Sequence, residues 1–330
     1  MIENIRVYES TVFNPYINIA TEKYLMDTTP VNGCTLYLWQ NQNTVVIGHN
    51  QNPWVECRTS LLEEEGGTLA RRLSGGGAVF HDLGNLNFTF TVARENYDLS
   101  RQLEVIRKAC EFAGIKAEKS GRNDILAQGR KFSGNAFYQN QTHAYHHGTL
   151  LVDVDMDKLQ RYLSPSKAKL EAKGVSSVRS RVVNLKELAP SLTIDRMKEF
   201  MLTAFNEVYG LKATAAELDA KDLQTIHKLA DDYSRWDYIY GTPLPFTIQA
   251  ESHFSWGAFQ LQLEVKSGTV QSCKVYSDSM DWQLPSQIEA LLTGVQFQQA
   301  AFEAALREVP FDRQIADDLI ALAQEQLLHI

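Results

Sequence analysis

The run Arg71-Arg72-Leu73-Ser74-Gly75-Gly76-Gly77-Ala78-Val79-Phe80-His81-Asp82 restricts the fold of this chain more than any other segment. Three successive glycines leave a stretch of backbone clear of side chains. It can take positive φ and bring its N–H groups against an anion. The two arginines before it can supply charge-assisted bonds to phosphate oxygens. A tight turn or bulge is the plainer use of such a triplet. Two phosphate-binding architectures are excluded. No Lys-Ser or Lys-Thr closes a G-x-x-x-x-G-K pattern, so this is not a P-loop. Phe80 stands where G-x-G-x-x-G needs its last glycine, and residues 87–92 (NFTFTV) alternate as a strand where a dinucleotide fold begins a helix. The turn therefore belongs to a sheet of another kind.

Around it, helices and strands are mixed. Residues 14–27 carry Ile17, Ala20, Tyr24 and Leu25 at helical spacing. Residues 35–39 and 44–48, rich in β-branched and aromatic types, read as two strands joined through Asn41, Gln42 and Asn43. Helices are expected over 57–66, 100–114, 158–163, 193–209 and 222–232. Strands are expected over 87–92, with one face buried, and over 148–154. A tight hairpin is expected over 123–131, and 164–180 reads as a polar, basic loop. Gly241, Pro243 and Pro245 mark a linker. It divides a domain of residues 1–245 from one of 246–330. Beyond it, a hairpin over 253–265 and 269–276 turns through Ser267 and Gly268. Helices follow over 285–292, over 298–306 and on to 330. Short turns between strand pairs favour an α+β fold with a mixed, largely antiparallel sheet over a doubly wound parallel one.

Net charge is −8 but unevenly spread. From Lys116 to Arg181, Lys and Arg outnumber Asp and Glu about two to one. From Gly241 onward there are four Lys/Arg against eleven Asp/Glu. A basic middle in an acidic chain suits an anionic small ligand or an acidic protein partner. General nucleic-acid binding needs a broader basic face. No stretch approaches the ~20 apolar residues of a membrane span, and the first residues do not resemble a secretory signal. A soluble cytoplasmic protein is expected. The four cysteines, Cys34, Cys57, Cys110 and Cys273, form no C-x-x-C pair and read as scattered reduced thiols.

Extended to Gly84 and Asn85, the glycine segment closely resembles the signature of the lipoate–protein ligases, a family that in its wider sense includes biotin ligases and octanoyl transferases. Further segments are similar to other parts of the family, in its order. They are Asn43 to Gly48 with Gln51 to Trp54, Gly121 to Asp124 with Arg130, Lys131, Ser133 and Gly134, His146 to Leu150, and Lys173 to Leu185. The tail is similar to the small accessory domain of the long-form ligases. The resemblance implies that the carboxylate of lipoate attacks the α-phosphate of ATP, giving lipoyl-AMP and pyrophosphate. A lysine of an acceptor protein then takes the lipoyl group and releases AMP. It implies Lys131 as the catalytic residue, a compact cation able to bridge a carboxylate and a triphosphate. ATP is expected at Arg72, Gly77, Ala78, Val79, Phe80, Asn123, Asp124 and Lys131. Lipoate is expected at Arg71, Ser74, Gly75, His81 and Lys131, with Trp39, Val46 and Ile47 as walls of an apolar tunnel. Mg²⁺ is expected at Asp124, because hard cations take carboxylate oxygen; capping a turn is the other use of that residue. The implied acceptors are the lipoyl domains of 2-oxoacid dehydrogenase E2 subunits and the glycine-cleavage H protein.

Three alternatives share the fold. An ATP-independent octanoyl or lipoyl transferase that relays the acyl group through a cysteine lacks that nucleophile here, since the strand after Lys131 reads His146-His147-Gly148-Thr149-Leu150. A biotin ligase would differ in the residues flanking its glycine motif. A non-catalytic lipoyl-binding protein would not need Lys131. In the ATP-using reading, the C-terminal domain is expected to move between the two steps, because the adenylate must be shielded from water and then shown to the acceptor.

Overall fold

The computed structural model describes residues 1–121, 123–163, 181–241, 246–308 and 311–327. An eight-stranded sheet organises the larger part. Its order is Thr214–Ala215, Asn4–Glu9, Gly33–Trp39, Asn85–Ala93, His143–Leu151, Arg130–Gln139, Asp124–Ala127 and Glu118–Ser120. The first three strands run parallel and every later pairing is antiparallel. The architecture is α+β with a largely antiparallel sheet, as the sequence leads one to expect.

Asn85–Ala93 shows how the sheet is filled. Leu86, Phe88, Phe90 and Val92 point to one face and meet Val105, Ile106, Met201 and Phe205 from helices Leu99–Phe112 and Ile194–Tyr209. Each of these four side chains is wholly buried. Burial of that kind stabilises by roughly 1.5–3 kcal/mol per side chain. Asn85, Asn87, Thr89 and Thr91 point to the other face and are buried too. The alternating pattern implied one buried face, but both are covered. Helix Pro15–Thr28, capped by the Asn14 side chain, closes over the polar face.

The expected pairing of 35–39 with 44–48 does not form. Gly33–Trp39 joins the large sheet, while Thr44–Ile47 is the middle strand of a separate three-stranded sheet. There it pairs with Thr68–Arg71 in parallel and with Val79–His81 in antiparallel. Asn43, at φ 42°, turns the chain between the two sheets. The helix expected over 57–66 forms, shortened to Thr59–Glu64, and a separate short helix, Pro53–Glu56, precedes it. Cys57, between them, bridges to Leu163 instead. The hairpin over 123–131 is present, turning through Gln128 and Gly129, both at positive φ. The loop over 164–180 and most of the expected linker lie outside the described residues.

Residues 248–327 have a hydrophobic cluster of their own. The strand expected over 253–265 is two strands, Ile248–Phe254 and Gly257–Lys266, followed by Thr269–Ser277. Helices Leu284–Leu292, Gln299–Arg307 and Arg313–Leu322 pack on this small sheet, through Ile288, Phe302 and Leu319.

Candidate active site

A cavity of about 150 Å³ lies where the two sheets of the larger part meet the C-terminal domain. The Asp124–Ala127/Arg130–Gln139 hairpin carries an irregularity between Ile125 and Leu126, and it sets Asp124 opposite Gly134. The ammonium of Lys131 lies 2.7 Å from Asp124 Oδ1, and both side chains are mostly buried. Arg181 pairs with the other carboxylate oxygen of Asp124. The segment bearing Arg181 is strapped to the hairpin: Val182 bridges Lys131 in parallel and the Val183 N–H donates to the Lys131 carbonyl at 2.9 Å. Two cations therefore share one carboxylate at the wall of the cavity.

The glycine turn forms the adjoining wall. Gly76 holds φ 87°, which an L side chain rarely adopts. Its N–H donates to the carbonyl of Ser279 at 3.1 Å. A Cβ on Gly75 would overlap that same carbonyl. The C-terminal domain thus docks directly on the turn, with Asp278 and Met280 reaching the cavity. Trp282 holds the seam from outside, 5.0 Å from Tyr138 and 5.8 Å from His49 between ring centres, and its carbonyl accepts from Asn50 Nδ2 at 2.6 Å.

The two arginines part company. Arg72 borders the cavity, but its guanidinium is spent on the turn itself, donating to the carbonyls of Val46, Gly75 and Gly77 and to Ser74 Oγ. Arg71 faces away. It donates to the carbonyls of Gly48, His49, Gln51, Tyr238 and Ile239 and does not line the cavity. Burial pulls both guanidiniums down to about 10, so both stay charged at neutral pH.

Of the other residues expected to hold ligands, Gly77, Ala78, Val79, His81, Asn123, Asp124 and Lys131 meet at this cavity. Phe80 points to the opposite side of its strand, against Tyr162 at 5.5 Å. Ser74 and Gly75 sit behind the lining; Ser74 is wholly buried, 2.8 Å from His147 Nε2. Trp39 and Val46 wall the cavity as expected, whereas Ile47 alternates away into the cluster that holds Phe80.

Sequence reasoning missed Glu22, Asn87, His147, Arg181 and Asp278, which all border the cavity. A chain of hydrogen bonds links several of them. Arg72 Nε donates to Ser74 Oγ at 3.0 Å, Ser74 meets His147 Nε2, and His147 Nδ1 meets Glu22 Oε1 at 2.7 Å. Thr89 also donates to that carboxylate oxygen, at 2.7 Å. Glu22 could have been noticed as a carboxylate beside Ile19 and Leu25 on the apolar face of an amphipathic helix. His81 is held down to about 3, by burial first and by Arg72 and His147 second, so it is a neutral ring.

Comparison with known proteins decides the family. Residues 14–206 match the model of the lipoyl protein ligase A/B catalytic domain, and residues 244–329 match that of the bacterial lipoate protein ligase C-terminus. A lipoate-protein ligase A of Psychrobacter cryohalolentis is 39% identical over 92% of each chain. The chain belongs to the lipoate–protein ligase A family. Another member, from Bdellovibrio bacteriovorus, is 38% identical over 93% of each chain. The crystal structure of P. falciparum LipL1 in complex with lipoate superposes with a TM-score of 0.84 at 26% identity, covering 96% of this chain and 98% of that one.

Within that family frame, the thiols are inert. All four cysteines are pushed up to about 12, chiefly by burial, and none lines the cavity. Among the described residues no group of three His, Cys, Asp or Glu side chains could hold a metal ion by itself. Asp124 supplies the single carboxylate that Mg²⁺ carried in on a triphosphate needs at the least, but both of its oxygens are taken here by Lys131 and Arg181, so a metal ion would have to displace one of the two cations. No helix among the described residues is long and apolar enough to cross a membrane.

Proposed function

We propose that this chain activates lipoate with ATP and passes the lipoyl group to a lysine of an acceptor protein. The observation that carries the reading is the Lys131 ammonium at the cavity wall, held 2.7 Å from Asp124 beside a glycine turn that a nucleotide can approach. A carboxylate and a triphosphate repel each other, so their reaction needs a fixed cation between them. In the first step a lipoate oxygen bonds to the α-phosphorus and pyrophosphate leaves. Lys131 bridges the two anions, and Arg181 adds a second positive charge where charge builds on phosphorus. In the second step the acceptor amine attacks the acyl carbonyl and AMP departs, with Lys131 polarising that carbonyl. Gly77, Ala78, Val79 and Asn123 border the nucleotide, and Arg72 keeps the turn in shape through its three carbonyl partners. Asp124 would hold the Mg²⁺ that neutralises the phosphates.

Residues 1–245 form the catalytic domain in this reading and 246–330 the accessory one. The acceptors are lipoyl domains of 2-oxoacid dehydrogenase E2 subunits and the glycine-cleavage H protein, met in the cytoplasm. Purified protein should exchange labelled pyrophosphate into ATP only when lipoate is present, and Lys131→Ala should abolish the exchange. Exchange without lipoate, or a fully active variant, overturns the assignment. A thioester relay has no support, because no thiol lines the cavity: Cys34, Cys57 and Cys110 are buried elsewhere and Cys273 is half-buried in the C-terminal domain.

A further inference from the structure

One part of the cavity wall is polar where an alkyl tail would want apolar contacts. Glu22, His81 and Asn87 line it, and each is at most 3% exposed. Glu22 Oε2, His81 Nε2 and Asn87 Nδ2 have no hydrogen-bond partner among the described residues. Their hydrogen-bonding senses follow from their neighbours. Asn41 Oδ1 accepts from Asn18 Nδ2 at 3.0 Å, so Asn41 Nδ2 donates to His81 Nδ1 at 3.1 Å. The neutral ring of His81 therefore carries its proton on Nε2. Asn87 Oδ1 accepts from Asn85 Nδ2 at 2.9 Å, which leaves the amide N–H of Asn87 facing in. Glu22 Oε1 is taken by Thr89 and His147, which leaves Oε2 as an acceptor. Glu22, His81 and Asn87 thus bring two N–H donors and one carboxylate oxygen to a cavity whose apolar wall includes Ile19, Trp39 and Val46.

We infer that this polar part of the wall is a subsite for a tail terminus that both donates and accepts hydrogen bonds, so that the dithiol form of lipoate and ω-hydroxy acids are preferred to plain alkyl acids of the same length. The inference rests on the function proposed above. A thiol or hydroxyl can donate to Glu22 while accepting from His81 or Asn87. The cyclic disulfide can only accept, and a methyl terminus can do neither. A buried polar group left unpaired costs roughly ten- to a hundredfold in selectivity.

Pyrophosphate exchange with four acids tests this: octanoate, 8-hydroxyoctanoate, lipoate, and lipoate held reduced by a phosphine. The expected order in kcat/KM is dithiol above disulfide and hydroxy acid above octanoate, the latter by about ten- to a hundredfold. Glu22→Gln keeps an oxygen for Thr89 and His147 but turns the unpaired acceptor into a donor. It should lower the hydroxy-acid to octanoate ratio by about tenfold or more, a ratio measured within one protein and so insensitive to folding losses. Hydroxy acid and octanoate exchanging within threefold in the native protein overturns the inference, whether or not the variant folds. Exchange with none of the four acids overturns the proposed function instead.

Discussion

Gly134→Ala should separate catalysis from stability. Gly134 lies opposite Asp124 in the sheet, and a Cβ added there would stand 2.9 Å from Lys131 Nζ and 3.1 Å from Cε. The next heavy atom, Thr149 Oγ1, is 3.9 Å away, an ordinary contact. Only the far end of one flexible side chain is in the way, and Nζ must retreat by about half an ångström to reach a normal contact. The Gly134 N–H, which donates to Thr149 Oγ1 at 3.2 Å, is untouched. Alanine also narrows the unfolded ensemble, which favours folding by about 0.4–1 kcal/mol. The melting temperature should therefore stay within about 4 °C of the native value. Activity should not. A reacting group misplaced by 1 Å can lose about a hundredfold in rate, so a half-ångström shift of the bridging ammonium should lower lipoate-dependent pyrophosphate exchange roughly 10- to 100-fold. Exchange within threefold of native refutes the reasoning. So does a loss of activity accompanied by a fall in melting temperature of ~10 °C or more, because the methyl would then have met the fold rather than the ammonium.

Acid should unfold this protein early. Burial holds His81 and His146 down to about 3 and His49 to about 4, so the unfolded chain binds up to three more protons once pH falls below about 6.5. The stability is present above that pH and is lost as pH falls toward 4, at a limiting slope of about 4 kcal/mol per pH unit; urea midpoints that stay flat from pH 6.5 to 4.5 contradict it. Iodoacetamide at pH 7.5 should leave both exchange and transfer intact, since no thiol lines the cavity and the ionisation of each is pushed up to about 12. Inactivation faster than global unfolding would revive an acyl-thioester route. The C-terminal domain should leave the glycine turn between the half-reactions, because the Gly76 N–H bonded to Ser279 cannot at the same time hold a ligand oxygen. Solution X-ray scattering curves that coincide with and without a non-reactive acyl-adenylate analogue would show that it stays.

Much of the fold could be read from local pattern. Asn14 and Thr193 cap helices whose apolar spacing was plain, and Gln128-Gly129 and Ser267-Gly268 turn hairpins with the residues that such turns demand. What pattern could not supply was partnership. Residues 33–39 and 44–47 have the composition of a hairpin, yet no local rule says that one strand joins the large sheet and the other a separate one. The alternation at Asn85–Ala93 was legible, but its meaning was not. Polar residues on alternate positions usually face water, and here they are buried beneath helix Pro15–Thr28, with Asn87 at the cavity. A strand with asparagine and threonine on one side looks the same in sequence in either setting.

The site was legible in its motifs and opaque in its roles for a similar reason. Arg71 and Arg72 are neighbours of the same type, and any argument from charge assigns them alike. Strand geometry sends adjacent side chains to opposite faces. One guanidinium therefore ties the chain at Tyr238 and Ile239 to the loop after Thr44–Ile47, and the other props up the glycine turn. Both are taken up by carbonyls, which among the described residues leaves Lys131 and Arg181 as the other cations lining the cavity. The converse holds for Glu22. Isolated in an apolar helix face, a carboxylate would be costly, and here its burial is supported by Thr89, by His147 and, through Ser74, by Arg72. Glu22, Ser74 and His147 come from three distant segments, so only the closed fold shows that the glycine turn and helix Pro15–Thr28 are joined by one hydrogen-bond chain.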